Sequence, residues 1–186
     1  MHRRALAAVV VVALSMAACG SAQHAQPSGG GSTKAPSTTR APEPAGKDPS
    51  EIARMVCSPK AQQEIARVLG VAADVQRPTW VGHLYSCRYR YPDGSFILSV
   101  KELSSWSETL AYFHSLGSTL GDNGSLANLG QGAFTTSDGS VVVRKDWKVL
   151  VVDIAPLPAQ FGKPATSKAD VAFTVADIIL GCWAGD

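Results

Sequence analysis

Residues 48–186 predict an α+β domain: a mostly antiparallel sheet of about five strands, a hairpin plus a meander, with helices packed on it. Three observations predict it. Apolar residues at helical spacing open and close the segment, strict alternation fills its middle, and turn pairs such as Asp93-Gly94 and Asp138-Gly139 separate the alternating runs.

The first helix is signalled by Asp48-Pro49-Ser50-Glu51, with a cap, a proline at the first helical position and a glutamate three after the cap. Ile52, Met55 and Val56 share a face. Ser58-Pro59 restarts the helix, and Ala61, Ile65, Val68 and Leu69 extend the stripe until Gly70 stops it. Over 80–91, Val81, His83, Tyr85, Cys87, Tyr89 and Tyr91 fall on one side of a strand, with Ser86, Arg88 and Arg90 on the other. Pro92-Asp93-Gly94 turns the chain into a partner strand carrying Phe96, Leu98 and Val100. Ser105-Trp106-Ser107-Glu108 is a capping box for a helix with Trp106, Leu110, Phe113 and Leu120. A Gly/Asn-rich loop over 121–132 follows. Then come three strands (134–136, 140–145 and 149–154), a loop over 156–166, and a last helix capped by Ser167-xx-Asp170 with Val171, Val175, Ile178 and Ile179 inward.

The N-terminus has a different character. Arg3 and Arg4 precede an apolar run, Ala5 to Ala18, broken only by Ser15. That pattern predicts a signal peptide over 1–18, too short for the roughly 20 apolar residues that span a bilayer. Met16-Ala17-Ala18-Cys19-Gly20 resembles a bacterial lipobox, which implies cleavage before Cys19 and acylation of its thiol. Each buried acyl CH₂ contributes about 0.8 kcal/mol, so several chains anchor far better than one. Residues 19–47 then predict a lipidated Cys followed by a disordered tether, because Gly20 to Lys47 holds no large apolar side chain to offset ordering entropy. A flexible segment of that length reaches on the order of 30 Å. The Thr/Ser/Pro cluster over 36–44 reads as bare linker, with O-linked glycosylation the alternative.

Charge narrows the partners. The whole chain carries 17 basic and 15 acidic residues, but two of the basic ones lie in the signal. Residues 48–186 hold 12 basic and 14 acidic residues, a balance of −2 without the basic excess that nucleic-acid binding wants. Nucleic acid is therefore not an expected partner.

With Cys19 acylated, Cys57, Cys87 and Cys182 remain. Three thiols form at most one internal pair in an oxidising compartment. Cys57–Cys87 is the favoured pair, because Cys57 ends the helix packed beside the strand that carries Cys87. Cys57–Cys182 is the rival, joining the first and last helices.

No G-x-S-x-G, H-E-x-x-H or Ser-x-x-Lys constellation suggests a nucleophile or metal. His83 and His114 are the only histidines of the domain, at no ligand spacing, so neither metal nor cofactor is expected. No catalytic residue is assigned. Gly121-Asp122-Asn123-Gly124 and Gly130-Gln131-Gly132 lack the Lys-Ser/Thr of a phosphate loop and read as turns. Trp80, Tyr85, Tyr89, Tyr91, Phe96, Trp106 and Phe113 read as core packing, with a cleft for an apolar or glycan ligand as the alternative.

Several segments together resemble a family of small actinobacterial cell-envelope lipoproteins of unknown function. They are Cys19 with its Pro/Thr tether, Met55-Val56-Cys57-Ser58, Leu69-Gly70, Leu84-Tyr85-Ser86-Cys87-Arg88-Tyr89, Leu98-Ser99-Val100-Lys101 and Asn128-Leu129-Gly130-Gln131-Gly132-Ala133-Phe134. The resemblance spans most of 50–183 and implies no activity or site residues. Cys182-Trp183 departs from the family's two-cysteine pattern. The expectation is a lipoprotein on the outer face of the cell membrane, a non-catalytic binding or accessory module meeting an envelope protein, a wall glycan or an apolar ligand. The alternatives are an envelope hydrolase that uses His83 with a nearby Asp or Ser, and a structural or chaperone-like partner of an envelope complex.

Overall fold

A computed structural model describes residues 42–183. The signal, Cys19 and most of the tether therefore lie outside the described residues. The architecture is α+β, as the periodicities predict, and its main sheet is antiparallel throughout.

The first helix, α1 (Glu51–Met55), starts later than its Asp-Pro signal suggests. Ser50 is the cap, with extended backbone and a hydroxyl that accepts from the Ala53 amide at 3.2 Å. In the same way Ser58 caps α2 (Pro59–Leu69), with Pro59 where no amide is needed. Gly70 ends α2 at φ 66°, and a Cβ there would come within 2.1 Å of the Lys163 carbonyl oxygen. Position 70 thus demands glycine twice, for its left-handed backbone and for the close approach of the chain.

Two short strands, β1 (Asp74–Val75) and β2 (Thr79–Val81), lie in succession along one edge of β3 (Leu84–Tyr91), whose other edge pairs with β4 (Gly94–Glu102). Pro78, between β1 and β2, has no amide to donate and interrupts the edge. The run over 80–91 is consequently not one strand. Gly82-His83 form a two-residue turn with φ 55° and 60°, and Val81 pairs with Leu84 across it. Such a turn inverts odd and even positions, so Val81 does not share the face of Tyr85 and is 75% exposed.

From β4 the chain enters α3 (Trp106–Leu120), capped by Ser105 as the capping box predicts. The Gly/Asn-rich segment expected as loop contains β5 (Asp122–Leu126), an exposed edge strand with a bulge between Asp122 and Ser125. The meander follows as β6 (Ala133–Thr136), β7 (Val141–Lys145) and β8 (Lys148–Asp153). The next loop holds a small ladder of β9 (Gln160–Phe161) and β10 (Thr166–Ser167), before α4 (Lys168–Trp183). The main sheet runs β1-β3-β4-β8-β7-β6-β5, with β2 also on β3. That is eight strands rather than about five, because the short and glycine-rich edge strands carry no apolar alternation to betray them.

Alternation gives the sheet two apolar faces. On one, Cys87, Tyr89, Phe96, Leu98, Leu150 and Val152 pack with Val56 and Ile65, and with Val175 and Ile179 of α4. On the other, Phe134, Val142 and Val149 lie under Tyr112, Phe113 and Leu116 of α3. Trp106 and Leu120 mark the two ends of α3 and stay about 40% exposed. Val68, expected on the inner stripe of α2, is also exposed.

Cys57 and Cys87 are joined by a disulfide, Cα to Cα 6.0 Å, which decides against Cys57–Cys182. Beside it the Tyr89 hydroxyl donates to the Val56 carbonyl at 2.7 Å. The bond closes 30 residues, for which chain entropy gives about 3–4 kcal/mol. Replacing both cysteines by alanine should remove roughly that amount. Urea titration of the variant against the oxidised protein measures it, and an unchanged midpoint would show that the bond contributes nothing.

Candidate functional site

The densest set of polar and aromatic side chains surrounds the end of β4. Two tight turns face it, Gly82-His83 and Asp146-Trp147, the second with φ 50° and 58°. The His83 carbonyl accepts from the Glu102 amide at 2.9 Å, and the Trp147 carbonyl accepts from the Leu103 amide at 3.0 Å. The Lys101 ammonium donates to the Gly82 carbonyl at 2.5 Å. From outside, the Ala45 amide donates to the Leu103 carbonyl at 3.1 Å, and the Trp80 indole N–H to the Lys47 carbonyl at 2.9 Å. The residues that precede the domain are thereby fastened to this end.

Inside the same end lies Glu102, only 4% exposed. Its carboxylate accepts from the amide and the hydroxyl of Ser50. Lys148, 5% exposed, is its cross-strand neighbour. A buried carboxylate is tolerated where donors meet it, and Ser50 supplies two here.

On the α3 side the Arg144 guanidinium stacks 4.6 Å from the Trp106 ring centroid and 5.6 Å from that of Phe113. Its other side rests on Gly132, where a Cβ would approach Nε to 2.7 Å. Arg144 Nη1 is buried and has no acceptor among the described residues. The Gly130-Gln131-Gly132 segment is a turn, as expected, bound to β7 through Gln131 N to Arg144 O at 2.9 Å and Arg144 N to Gly132 O at 2.8 Å. The arrangement clamps the start of α3 to the sheet through a cation and two rings.

At the opposite end of the strands, a cleft of about 320 Å³ opens between the β6–β7 turn and the start of α4. Asp138, Ser137, Asn123, Ser167 and Lys168 are among its walls. Burial by itself would raise the Asp138 pKa. Hydrogen bonds from Thr136 and Ser140 and the charge of Lys168 outweigh it, and the carboxyl is held below its ordinary range. The other hydroxyls are committed as well: Ser137 donates to the Leu120 carbonyl, and Ser167 donates to Asp170 while accepting from its amide. These groups shape the turn and the helix start.

The sequence-derived candidates are scattered. Cys19 lies outside the described residues, Cys57 and Cys87 are bonded, and Cys182 is half-buried in α4. His83 is exposed in its turn with its ring edge-on to Trp80, centroids 5.7 Å apart. It does not share the apolar strand face predicted for it. His114 is exposed on α3 beside Phe113. The aromatic group divides. Tyr89 and Phe96 stack at 4.7 Å and are fully buried, and Tyr91 meets Phe161 at 4.7 Å, so these rings are core. Burial, with the neighbouring Tyr91 adding to it, holds the Tyr89 phenol far above its usual range. Phe113 meets Phe134 on the other face, while Trp80 and Trp106 lie at the β4 end. Sequence reasoning passed over Glu102, Lys148 and Arg144, and read Asp146-Trp147 only as the turn before the last strand of the meander, where the structure has it. Only the Asp146-Trp147 pair left a signal there, as a break between two apolar runs.

Among the described residues, no group of three or more His, Cys, Asp or Glu is placed to hold a metal ion, and no helix is long and apolar enough to cross a membrane. Compared with known proteins, the chain matches no family model, no curated protein and no solved structure.

Two substitutions test these assignments. Because the folded pKa of Asp138 is depressed, its contribution to stability is fully present above the ordinary carboxylate pKa and is lost as pH falls through the folded value. Asp138→Asn should therefore lower the thermal midpoint at neutral pH, and the gap from wild type should close below about pH 4. A gap independent of pH would refute the linkage. Arg144→Ala should cost about 1–2 kcal/mol in denaturant titration through loss of the ring contacts. A neutral result would remove the clamp on α3.

Proposed function

We propose that the chain is a lipid-anchored envelope lipoprotein. In this reading it is cut before Cys19 and held on the outer face of the cell membrane by acyl chains on that residue. Residues 48–186 then serve as a non-catalytic binding or accessory module. The observation that carries the reading is the pairing of an export-type leader with a Cys57–Cys87 disulfide. Structural disulfides persist in oxidising compartments and are rare in the reducing cytosol, so the bond and the leader support the same address. The resemblance to small actinobacterial envelope lipoproteins agrees with it.

The interior supports a module that works through its surface. Tyr89, Phe96, Leu98 and Leu150 are fully buried between sheet and helices. A core filled in this way favours contacts with an envelope protein or a wall glycan over carriage of an apolar ligand among these rings. Asp138, Ser137 and Ser167 at the cleft, and Lys101 and Glu102 at the β4 end, are hydrogen-bonded to the fold, an arrangement that suits scaffolding more than chemistry.

Metabolic labelling with a palmitate analogue tests the anchor. Wild-type protein should take the label and sediment with membranes, whereas Cys19→Ser should do neither. Unchanged membrane retention of the Cys19→Ser protein would overturn the reading.

A further inference from the structure

The tryptophans are gathered at one end of the domain. Trp80 lies two residues before the Gly82-His83 turn, Trp147 is in the turn between β7 and β8, and Trp106 is the first residue of α3, stacked on Arg144. Trp106 is 40% exposed, Val81 next to Trp80 is 75% exposed, and Trp80 and Trp147 are half-buried. Trp183, against Lys145 at the same end, is 4% exposed and belongs to the interior.

The chain leading back to Cys19 leaves the domain at this end. Ala45 is bonded to Leu103, and Lys47 receives the Trp80 indole N–H. The segment between Cys19 and Pro42 cannot exceed about 80 Å even fully extended. A surface held within that distance meets the domain at a high effective concentration, so a weak contact is enough to orient it.

Charge does not account for the cluster. Lys47, Lys101, Arg144 and Lys145 surround it. Asp48, Glu51, Glu108 and Asp146 lie among them, so no basic patch results. What this end offers is rings and a valine. Trp147 also holds a left-handed backbone at φ 58°, a conformation that favours Gly or Asn and costs a bulky residue energy. Strain of this kind at a ring left only half-buried points to a use for the part that solvent reaches.

We propose that this end of the domain docks on the lipid surface, with Trp106, Trp147 and Val81 entering the headgroup layer. Indole suits that layer because its apolar ring and polar N–H match the boundary between acyl chains and water. The inference rests on the lipid-anchor reading, and adds that the domain has a fixed orientation on the membrane that holds it.

The test uses the mature chain, residues 19–186, carrying Cys19→Ser so that no acyl group contributes. It is mixed with vesicles of phosphatidylcholine, alone or with phosphatidylglycerol, and followed by co-sedimentation and by the blue shift of tryptophan emission. Binding to both vesicle types should agree within about threefold and survive about 0.5 M salt, since rings rather than charges carry it. Trp147→Asn installs a residue suited to positive φ. It should keep or raise the thermal midpoint while reducing partition at least about fivefold, and exposed Val81→Ser should reduce partition in the same direction. Three results would each overturn the proposal: no partition of the parent chain, binding only to phosphatidylglycerol vesicles that salt abolishes, or full partition of a folded Trp147→Asn variant. Acylation is scored in cells and partition on unacylated protein, so either reading fails without the other.

Discussion

The carbonyl of Val56 and the disulfide sulfur of Cys57 fix the turn between α1 and α2 against β3. Val56 receives the Tyr89 hydroxyl, and Cys57 is bonded to Cys87 two residues earlier on the same strand. This attachment sets which face of the sheet the first two helices cover. Tyr89 then stacks on Phe96, its cross-strand partner, and Phe96 meets Tyr91. Through α2 and α4 the same core reaches the far strands, Val143 and Val152 among them. Covalent closure and burial of aromatic area act together here: the first restricts the unfolded chain, and the second favours the folded one.

Much of this was legible in the sequence because period-two alternation and Ser-based caps are local. Cys87, Tyr89, Phe96 and Leu98 declare their face by parity alone, and Ser58 and Ser105 declare helix starts through the amide they accept. The sequence favours Cys57–Cys87 by expecting helix and strand to be adjacent but leaves Cys57–Cys182 open, and the structure decides between them. What escaped was set by geometry between distant segments. The Gly82-His83 turn sits inside an unbroken alternation, so Val81 and His83 were assigned to the wrong face. β5 has only Leu126 to mark it as a strand and is specified by its pairing with β6. Glu102 reads as a surface residue until Ser50 is brought against it.

The two ends of the domain divide the work of holding it together. At one, turns whose second residues have positive φ present carbonyls to the last amides of β4, and the preceding chain is bound over them. At the other, Asp138 and Ser140 close a turn against the start of α4, where Ser140 Oγ also accepts from the Ile154 amide. Polar groups at both ends are thus spent in part on holding the backbone. The exposed rings near Leu103 are the exception, since the interior does not require their surface.

The two margins of the sheet would matter if, as proposed, many copies share one membrane. One is broken at Pro78 into two strands of two and three residues, and the other, β5, is bulged at Asp122–Ser125. Neither offers a long straight ladder of free amides and carbonyls. Confinement to a plane raises encounters between copies well above those of a dilute solution, and uninterrupted margins would let neighbouring sheets zip together into fibres. Under the proposed anchor, blunted margins would let the chain be crowded laterally without its sheets joining edge to edge.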